Sequence, residues 1–283
     1  MMNALEINQL SKSFPHFTLG PLNLALPSGC IMGLVGENGA GKSTTFKLIL
    51  NMLRSDSGTI SILGKDNREN LRMVQEDIGV VLDEVGLPEC LNAKEVSAIM
   101  RRTFRNWNNA EYIRLLDRLS LPENKPFKDF SRGMKMKLGI AIALSHGSKL
   151  LLLDEATSGL DPVVRDEISE MFLDFTRSED HSILISSHIV SDLEKLCDII
   201  AFLHNGKLLL CEEKDRLLAE YALAHCTLEQ LNALPAEAVR CAKTSPYGAE
   251  AMVLRHAVPA GIALSPISIE ELFVFMAKEA KEQ

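Results

Sequence analysis

The sequence predicts an α/β fold with a largely parallel sheet that helices cover on both faces. Two observations support this class. Short apolar runs alternate with segments of helical periodicity between residues 30 and 210, an order typical of parallel strands joined by helical crossovers. Several of the runs are continuously apolar, as expected for strands that are buried on both faces. A shorter antiparallel sheet is predicted to precede this core.

The N-terminal third predicts the first elements in order. Residues 5–10 and 17–26 alternate apolar and polar side chains and predict two antiparallel strands. Residues 30–35 form a continuous apolar run and predict a buried strand. After a glycine-rich turn, apolar side chains at helical spacing predict a helix over residues 42–53.

The same patterns continue along the core. Pro162 stands where a helix begins, a position that favours proline, and Asn205-Gly206 predicts a tight hairpin turn. The further elements predicted from apolar pattern are strands at residues 78–82, 150–153, 182–186, 199–203 and 207–210, and helices at residues 91–121, 132–145, 162–175 and 189–196.

The composition shifts near Tyr221. Residues 221–283 are interpreted as a small appended region that ends in an amphipathic helix, with Ser268 as its N-cap and Glu271 three residues later. Two roles remain open for this region. It either packs on the core or stabilises a dimer, or it forms a regulatory ligand site.

Composition and charge narrow the class of protein. With 46% hydrophobic and 24% charged residues the chain is an ordinary globular protein. Its 30 Lys and Arg against 38 Asp and Glu give a net charge of −8, which argues against broad binding to nucleic acid. The six cysteines lack the spacing of a zinc site or a disulfide framework. With no signal-peptide pattern and no apolar run of about 18 residues, we expect a cytoplasmic chain.

A glycine-rich segment predicts a phosphate-binding loop, because it matches G-x-x-x-x-G-K-[ST] between a predicted strand and a predicted helix. Glycines let successive N–H groups point at phosphate oxygens, and the helix adds its positive dipole end. Lys42 is expected to reach the β- and γ-phosphates and the Ser43 hydroxyl to bind Mg²⁺. The expected ATP-binding residues here are Gly36, Glu37, Asn38, Gly39, Ala40, Gly41, Lys42, Ser43 and Thr44.

Two carboxylates follow the apolar run at residues 150–153, namely Asp154 and Glu155. The carboxyl end of a parallel strand is where open α/β sheets bind their ligands. Asp154 therefore suits a Mg²⁺-orienting role, and Glu155 suits activation of an attacking water.

Together these motifs resemble the ATP-binding cassette of ABC transporters, and the resemblance covers residues 3–220. Ser131-Arg132-Gly133-Met134 resembles the family signature, and Ser158-Gly159-Leu160-Asp161 resembles the family D-loop. His188 stands where the family places a histidine that senses the γ-phosphate, and Phe14 where an aromatic ring stacks on adenine. The resemblance implies an ABC-type P-loop NTPase with a mixed sheet, an antiparallel β subdomain and a helical subdomain inserted at about residues 88–147.

Two positions depart from the family pattern. Asp83 stands where the family usually has Gln, and Arg132 stands where the signature usually has its first glycine. A carboxylate also suits a hard cation, so Asp83 is expected to join Ser43 and Asp154 as a Mg²⁺ ligand. Arg132 is expected either to face solvent or to add positive charge near the opposing γ-phosphate.

The resemblance implies an ATPase that uses ATP and Mg²⁺, with Lys42, Glu155 and His188 as catalytic residues. It also implies a paired cassette, identical or similar, whose Ser131–Met134 segment contacts the ATP of the first, and a separate integral membrane permease. The cassette is then peripheral on the inner face of the cell membrane and binds no nucleic acid. Within the family, the pattern is most similar to bacterial drug- or peptide-export cassettes.

The alternative function is a non-transport ABC ATPase that acts on ribosomes or chromosomes, although such proteins usually carry two cassettes or a long coiled coil. An unrelated P-loop kinase or GTPase is disfavoured by the signature and D-loop segments.

Overall fold

A computed structural model describes residues 3–69 and 74–282 of the chain. Strands and helices alternate through most of this length, as the sequence predicts. The strands are β1 (Asn3–Phe14), β2 (Phe17–Pro27), β3 (Ile31–Gly36), β4 (Ser57–Ile62), β5 (Lys65–Asp66), β6 (Ile78–Val81), β7 (Leu150–Asp154), β8 (Ser182–Ser187), β9 (Ile199–His204), β10 (Lys207–Glu213), β11 (Tyr221–Cys226), β12 (Val239–Ser245), β13 (Gly248–Leu254) and β14 (Ala263–Ser265).

The helices lie between these strands and at the C-terminal end, with short 3₁₀ turns at Phe127–Asp129 and Arg255–Ala257. They are α1 (Lys42–Ile49), α2 (Ala93–Thr103), α3 (Asn109–Arg118), α4 (Arg132–Leu144), α5 (Pro162–Phe175), α6 (Val190–Leu196), α7 (Lys214–Glu220), α8 (Leu228–Ala233) and α9 (Ile269–Glu282). None of the helices in the described ranges is both long and apolar enough to cross a lipid bilayer.

The central sheet has the strand order β10-β9-β3-β8-β7-β6. Its neighbours pair in parallel except for β10, which pairs antiparallel with β9 across the Asn205-Gly206 turn. Every residue of β3, β7 and β8 is buried, which explains why their sequences are apolar or small up to Asp154 at the end of β7. The predicted α/β class with a mixed sheet is confirmed, and the carboxyl ends of β3, β7 and β8 meet at one edge of the sheet.

An antiparallel sheet of order β2-β1-β4-β5 packs beside this core. The sequence predicts its first pair but not β4 and β5. The predicted helix over residues 42–53 ends at Ile49, because Leu50 leaves the helical conformation and Asn51 has a φ of +53°. The predicted helix over residues 91–121 is two helices, α2 and α3, each of which begins at an asparagine N-cap.

The region after Tyr221 forms its own antiparallel sheet of order β12-β13-β11-β14, which sequence pattern does not predict. Its final helix begins as predicted: the Glu271 amide donates to Ser268 Oγ at 3.2 Å, and the Ser268 amide donates to the Glu271 carboxylate at 2.9 Å. The helix packs on the main core, where the Phe273 ring lies 5.3 Å from that of Phe202. The Ile269 amide also donates to the Glu194 carboxylate of α6 at 3.1 Å.

Candidate functional site

The glycine loop lies between β3 and α1, as predicted. Gly39 and Gly41 have φ values of +82° and +111°, which favour glycine. A side chain at Gly41 would also collide with Leu19, since a Cβ there would lie 2.6 Å from Leu19 Cδ1. The backbone therefore turns tightly enough to place successive amides around the start of α1, an arrangement suited to phosphate oxygens.

Lys42 projects from the start of α1 back over this loop. Its side chain is 6% exposed, and its Nζ donates to the Gly36 carbonyl at 2.8 Å and lies 3.6 Å from Glu155 Oε1. A buried ammonium beside the glycine loop is well placed to bind an anion. Ser43 and Thr44 follow it on the same helix and face the same space.

Glu155 occupies the turn immediately after β7. It has a φ of +55°, a conformation that non-glycine residues rarely adopt and that clusters at functional sites. Its other carboxylate oxygen accepts from the His188 backbone amide at 3.2 Å and lies 2.6 Å from His188 Nδ1. The carboxylate thus contacts both predicted catalytic partners, the Lys42 ammonium and the His188 imidazole.

Asp154 lies behind Glu155 and is 3% exposed. Its Oδ1 accepts a hydrogen bond from the Ser186 hydroxyl at 2.6 Å. The same hydroxyl accepts from the Glu155 amide at 3.1 Å. Ser186 therefore fixes both acidic residues from the neighbouring strand β8, a role that the sequence does not reveal, because a serine at the end of an apolar run carries no distinctive signal.

The glycine loop, Lys42, Glu155 and His188 surround a cavity of about 410 Å³. It contains amides, hydroxyls, an ammonium, a guanidinium, an imidazole and carboxylates, which is a donor set suited to a nucleotide triphosphate. Its walls are formed by Phe17, Glu37, Asn38, Gly39, Gly41, Lys42, Ser43, Thr44, Asp83, Arg132, Glu155, Ser158 and His188.

The aromatic ring on the cavity wall is that of Phe17, whereas the resemblance leads us to expect Phe14 against adenine. The two residues are cross-strand partners at the end of the β1–β2 hairpin, with ring centroids 6.2 Å apart. Phe17 is the nearer one to the glycine loop, because a Cβ at Gly41 would lie 3.1 Å from its ring. Phe14 lies farther out and is 38% exposed.

The signature-like segment begins α4. The Ser131 hydroxyl accepts from the Met134 amide at 3.2 Å and is the N-cap of that helix. Ser131 and Met134 do not line the cavity in this chain, but Arg132 does. The Arg132 guanidinium lies 2.6 Å from Asp83 Oδ1, so the two residues that depart from the family pattern form an ion pair with each other.

The segment 158–161 follows the acidic turn and brings Ser158 to the cavity wall. Leu160 is buried, and the Asp161 carboxylate caps α5 by accepting from the Val164 amide at 3.1 Å. Arg165, which no sequence motif marks, donates to the Leu160 carbonyl at 3.1 Å and lies 3.5 Å from Asp192 on α6. It joins this segment to the helix that follows His188.

A second, larger cavity of about 1060 Å³ is lined by Val80 and Leu82, close in sequence to Asp83. It lies between β6, α1 and the helical region, and buried His146 forms part of its floor by packing on Phe104 at 4.0 Å between ring centroids. Both imidazole nitrogens of His146 lie within 3.1 Å of backbone carbonyls, those of Ile142 and Ile78. His146 thereby ties α4 to the strand that leads to Asp83.

Comparisons with known proteins agree with this geometry. Residues 19–158 match the family model described as ABC transporter. A lantibiotic transport ATP-binding protein of Streptococcus pyogenes is 39% identical over 75% of this chain and 91% of its own length. A bacitracin transport ATP-binding protein of Enterococcus faecalis is 33% identical over 74% of this chain and 68% of its own.

Among solved structures, an ATP-binding subunit of an ABC transporter superposes with a TM-score of 0.69. It is 28% identical to this chain and covers 76% of it, and the match includes 91% of the solved chain.

Proposed function

The chain belongs to the ABC transporter family as an ATP-binding subunit with ATPase activity, and we propose that it powers export of an antimicrobial peptide or drug. The relatives named for lantibiotic and bacitracin transport support this substrate class. The structural observation that carries the proposal is the convergence of Lys42, Glu155 and His188 on one cavity.

Each of the three side chains has a role in this proposal. Lys42 holds the β- and γ-phosphates, because its ammonium lies on the cavity wall beside the glycine loop. Glu155 accepts a proton from the attacking water. His188 orients Glu155 through its 2.6 Å contact and donates to the terminal phosphate when its imidazole turns toward the cavity.

The Mg²⁺ site in this proposal is built from oxygen donors, which the hard cation prefers. The Ser43 hydroxyl lines the cavity, and the Asp154 carboxylate lies one residue before Glu155. Within the described residues no three His, Cys, Asp or Glu side chains form a metal cluster. When bound, Mg²⁺ neutralises phosphate charge. Asp83 is the third proposed donor, through Oδ2, since its contact with Arg132 is made by Oδ1.

We further propose that two cassettes pair. Ser131, Gly133 and Met134 lie outside the cavity of their own chain, which leaves the N-terminal end of α4 available to the nucleotide of a second cassette. The segment 158–161 would lie in the same contact. Phe17, with Phe14 beyond it, would cover the adenine side.

The partner in the membrane is proposed to be a separate permease that docks in the second cavity. Its lining is mainly apolar, and Met52 is 59% exposed and Val80 36% exposed at its edge. Exposed apolar surface of this kind marks a protein contact. Such docking would place the chain on the inner face of the membrane and would connect the permease to Asp83 through β6.

In the same proposal residues 1–220 are the cassette, residues 88–147 its helical part and residues 221–283 an extension.

The catalytic proposal is tested with the purified full chain. We expect Glu155→Gln to lower ATP hydrolysis by about 10²-fold or more, because the general base is lost, while ATP still binds and holds a dimer. Lys42→Ala should bind ATP poorly. Glu167→Gln, in a half-buried ion pair with Arg118, is the matched control. Normal turnover by Glu155→Gln would show that another group activates the water.

The transport proposal is tested in the native host. A tagged chain should co-purify with a polytopic membrane protein, whereas ribosomes or DNA in its place would favour the non-transport alternative. A strain that lacks the gene should become sensitive to a lantibiotic or to bacitracin, and the unmodified gene should restore resistance where the Lys42→Ala gene does not. Unchanged sensitivity to both would exclude this substrate class.

A further inference from the structure

The two residues that depart from the family pattern contact each other within one chain. Arg132 Nη2 lies 2.6 Å from Asp83 Oδ1, although the residues are 49 positions apart. Asp83 follows β6 and Arg132 opens α4, so the contact joins the ends of two elements at the nucleotide cavity. Each side chain also forms part of the wall of that cavity.

The Arg132 side chain also lies against Gly159 on its way to the ion pair. A Cβ at Gly159 would lie 3.5 Å from Arg132 Cδ and 3.6 Å from its Nε, so the stem passes directly over Gly159. Gly159 has a φ of +75° and no side chain to obstruct the stem. The guanidinium is therefore led from α4 across the 158–161 segment to Asp83.

The pair contributes little to the stability of the fold. The Arg132 side chain is 60% exposed and that of Asp83 is 51% exposed, and ion pairs at that exposure stabilise a fold very little. Its position matters more, because a triphosphate carries several negative charges. A lone carboxylate on the cavity wall would repel it, and a lone guanidinium would attract it.

From these observations, and on the basis of the proposed function, we infer that Asp83 and Arg132 form a charge-compensated pair that keeps this part of the cavity wall electrically neutral toward bound ATP. The pair together carries no net charge, as do the glutamine and glycine that the family usually has there. Arg132 is thus a positioning residue for Asp83 in its own chain. It holds the carboxylate beside the cavity without the repulsion that an unpaired carboxylate would cause.

The inference is tested by binding of a fluorescent ATP analogue to the full chain in EDTA, at two dilute protein concentrations. Arg132→Ala should weaken binding about fivefold and Asp83→Gln should tighten it by a similar factor, as expected for one charge near the phosphates. The double variant should bind within about twofold of the unmodified chain. All effects should be independent of protein concentration, since the pair lies within one chain.

The double variant and a control arginine distinguish a neutral pair from direct contact between Arg132 and the nucleotide. Arg114→Ala removes an equally exposed arginine that pairs with Glu111 on α3 and should leave binding unchanged. If the double variant binds as weakly as Arg132→Ala alone, Arg132 contacts the nucleotide itself and the inference is wrong. It is also wrong if Asp83→Gln weakens binding, or if the effects appear only at the higher protein concentration. Failure of the unmodified chain to bind the analogue would instead overturn the proposed function together with the pair's role.

Discussion

Ser186→Ala tests whether the Ser186 hydroxyl positions Asp154 and Glu155 for catalysis in addition to stabilising the sheet. The Ser186 hydroxyl donates to Asp154 at 2.6 Å and accepts from the Glu155 amide at 3.1 Å, and it is fully buried. A hydrogen bond to a charged group contributes about 1.5–3 kcal/mol. The Glu155 amide keeps its bond to the Ser186 carbonyl at 3.1 Å, so we expect a loss of about 2 kcal/mol in the free energy of unfolding.

Loss of these hydrogen bonds should also lower the rate of ATP hydrolysis, because Ser186 would no longer position Asp154 and Glu155. If all of the roughly 2 kcal/mol is lost from the transition state, ATP turnover falls by roughly 30-fold. Both quantities are measured on the same preparation, by thermal unfolding and by phosphate release.

Ser182→Ala is the matched control on the same strand. The Ser182 hydroxyl is also buried and makes two hydrogen bonds, accepting from the Gly29 amide at 3.0 Å and donating to the Pro27 carbonyl at 3.3 Å. This variant should lose a similar part of its stability but keep its turnover. Equal turnover in the two variants would refute the argument that Ser186 positions the acidic pair.

Three further predictions concern other parts of the molecule. Asp83→Gln should leave maximal turnover within roughly tenfold of the unmodified chain, about 1.4 kcal/mol of barrier; a complete loss in the ATPase assay would make Asp83 an indispensable ligand. The Ser268 amide and hydroxyl lower the pKa of the Glu271 carboxyl below its ordinary value of 4.5. The ionised carboxylate therefore stabilises α9 fully above pH 4.5, and this stabilisation is lost as the pH falls through the lowered pKa. Hydrogen exchange should therefore show α9 loosening between about pH 5 and pH 3, and Glu271→Gln should remove most of this dependence. Burial raises the pKa of the Cys211 thiol to about 11, whereas Cys90 is exposed, so Cys90 should react first with a thiol reagent in peptide mapping.

Much of the core could be predicted from the sequence because its determinants are contiguous. A strand buried on both faces is expected to be apolar, and β3 and the first four residues of β7 are continuously apolar or glycine. The glycine loop likewise encodes its own geometry, since its positive φ values need glycine at particular positions. Where the fold depends on neighbouring residues alone, sequence pattern is sufficient.

The strands that sequence pattern does not predict are those whose burial depends on distant partners. In β4 only two of six residues are buried, because one face is open and the strand is completed by pairing with β1. The sheet of the C-terminal region pairs β11 with both β13 and β14. No local periodicity specifies such pairings.

Three residues that the sequence predicts for the site meet in the structure, but their contacts could not be predicted. Lys42, Glu155 and His188 are identified from motif and spacing, and the fold brings them together. The choice of Phe17 over Phe14 on the wall, and the contact of Arg132 with Asp83, depend on the direction that each side chain takes from its loop. That direction depends on packing against residues distant in sequence and not on sequence neighbours.

The hydrogen bond from Ile269 to Glu194 connects the C-terminal region to the segment that carries His188. Glu194 lies on α6, which begins two residues after His188, and its carbonyl also accepts from Lys214 at 2.8 Å. Any rotation of that short helix during turnover must carry the start of α9 with it or break the bond. A dye attached to α9, which lines neither of the two cavities, would then report turnover through its fluorescence.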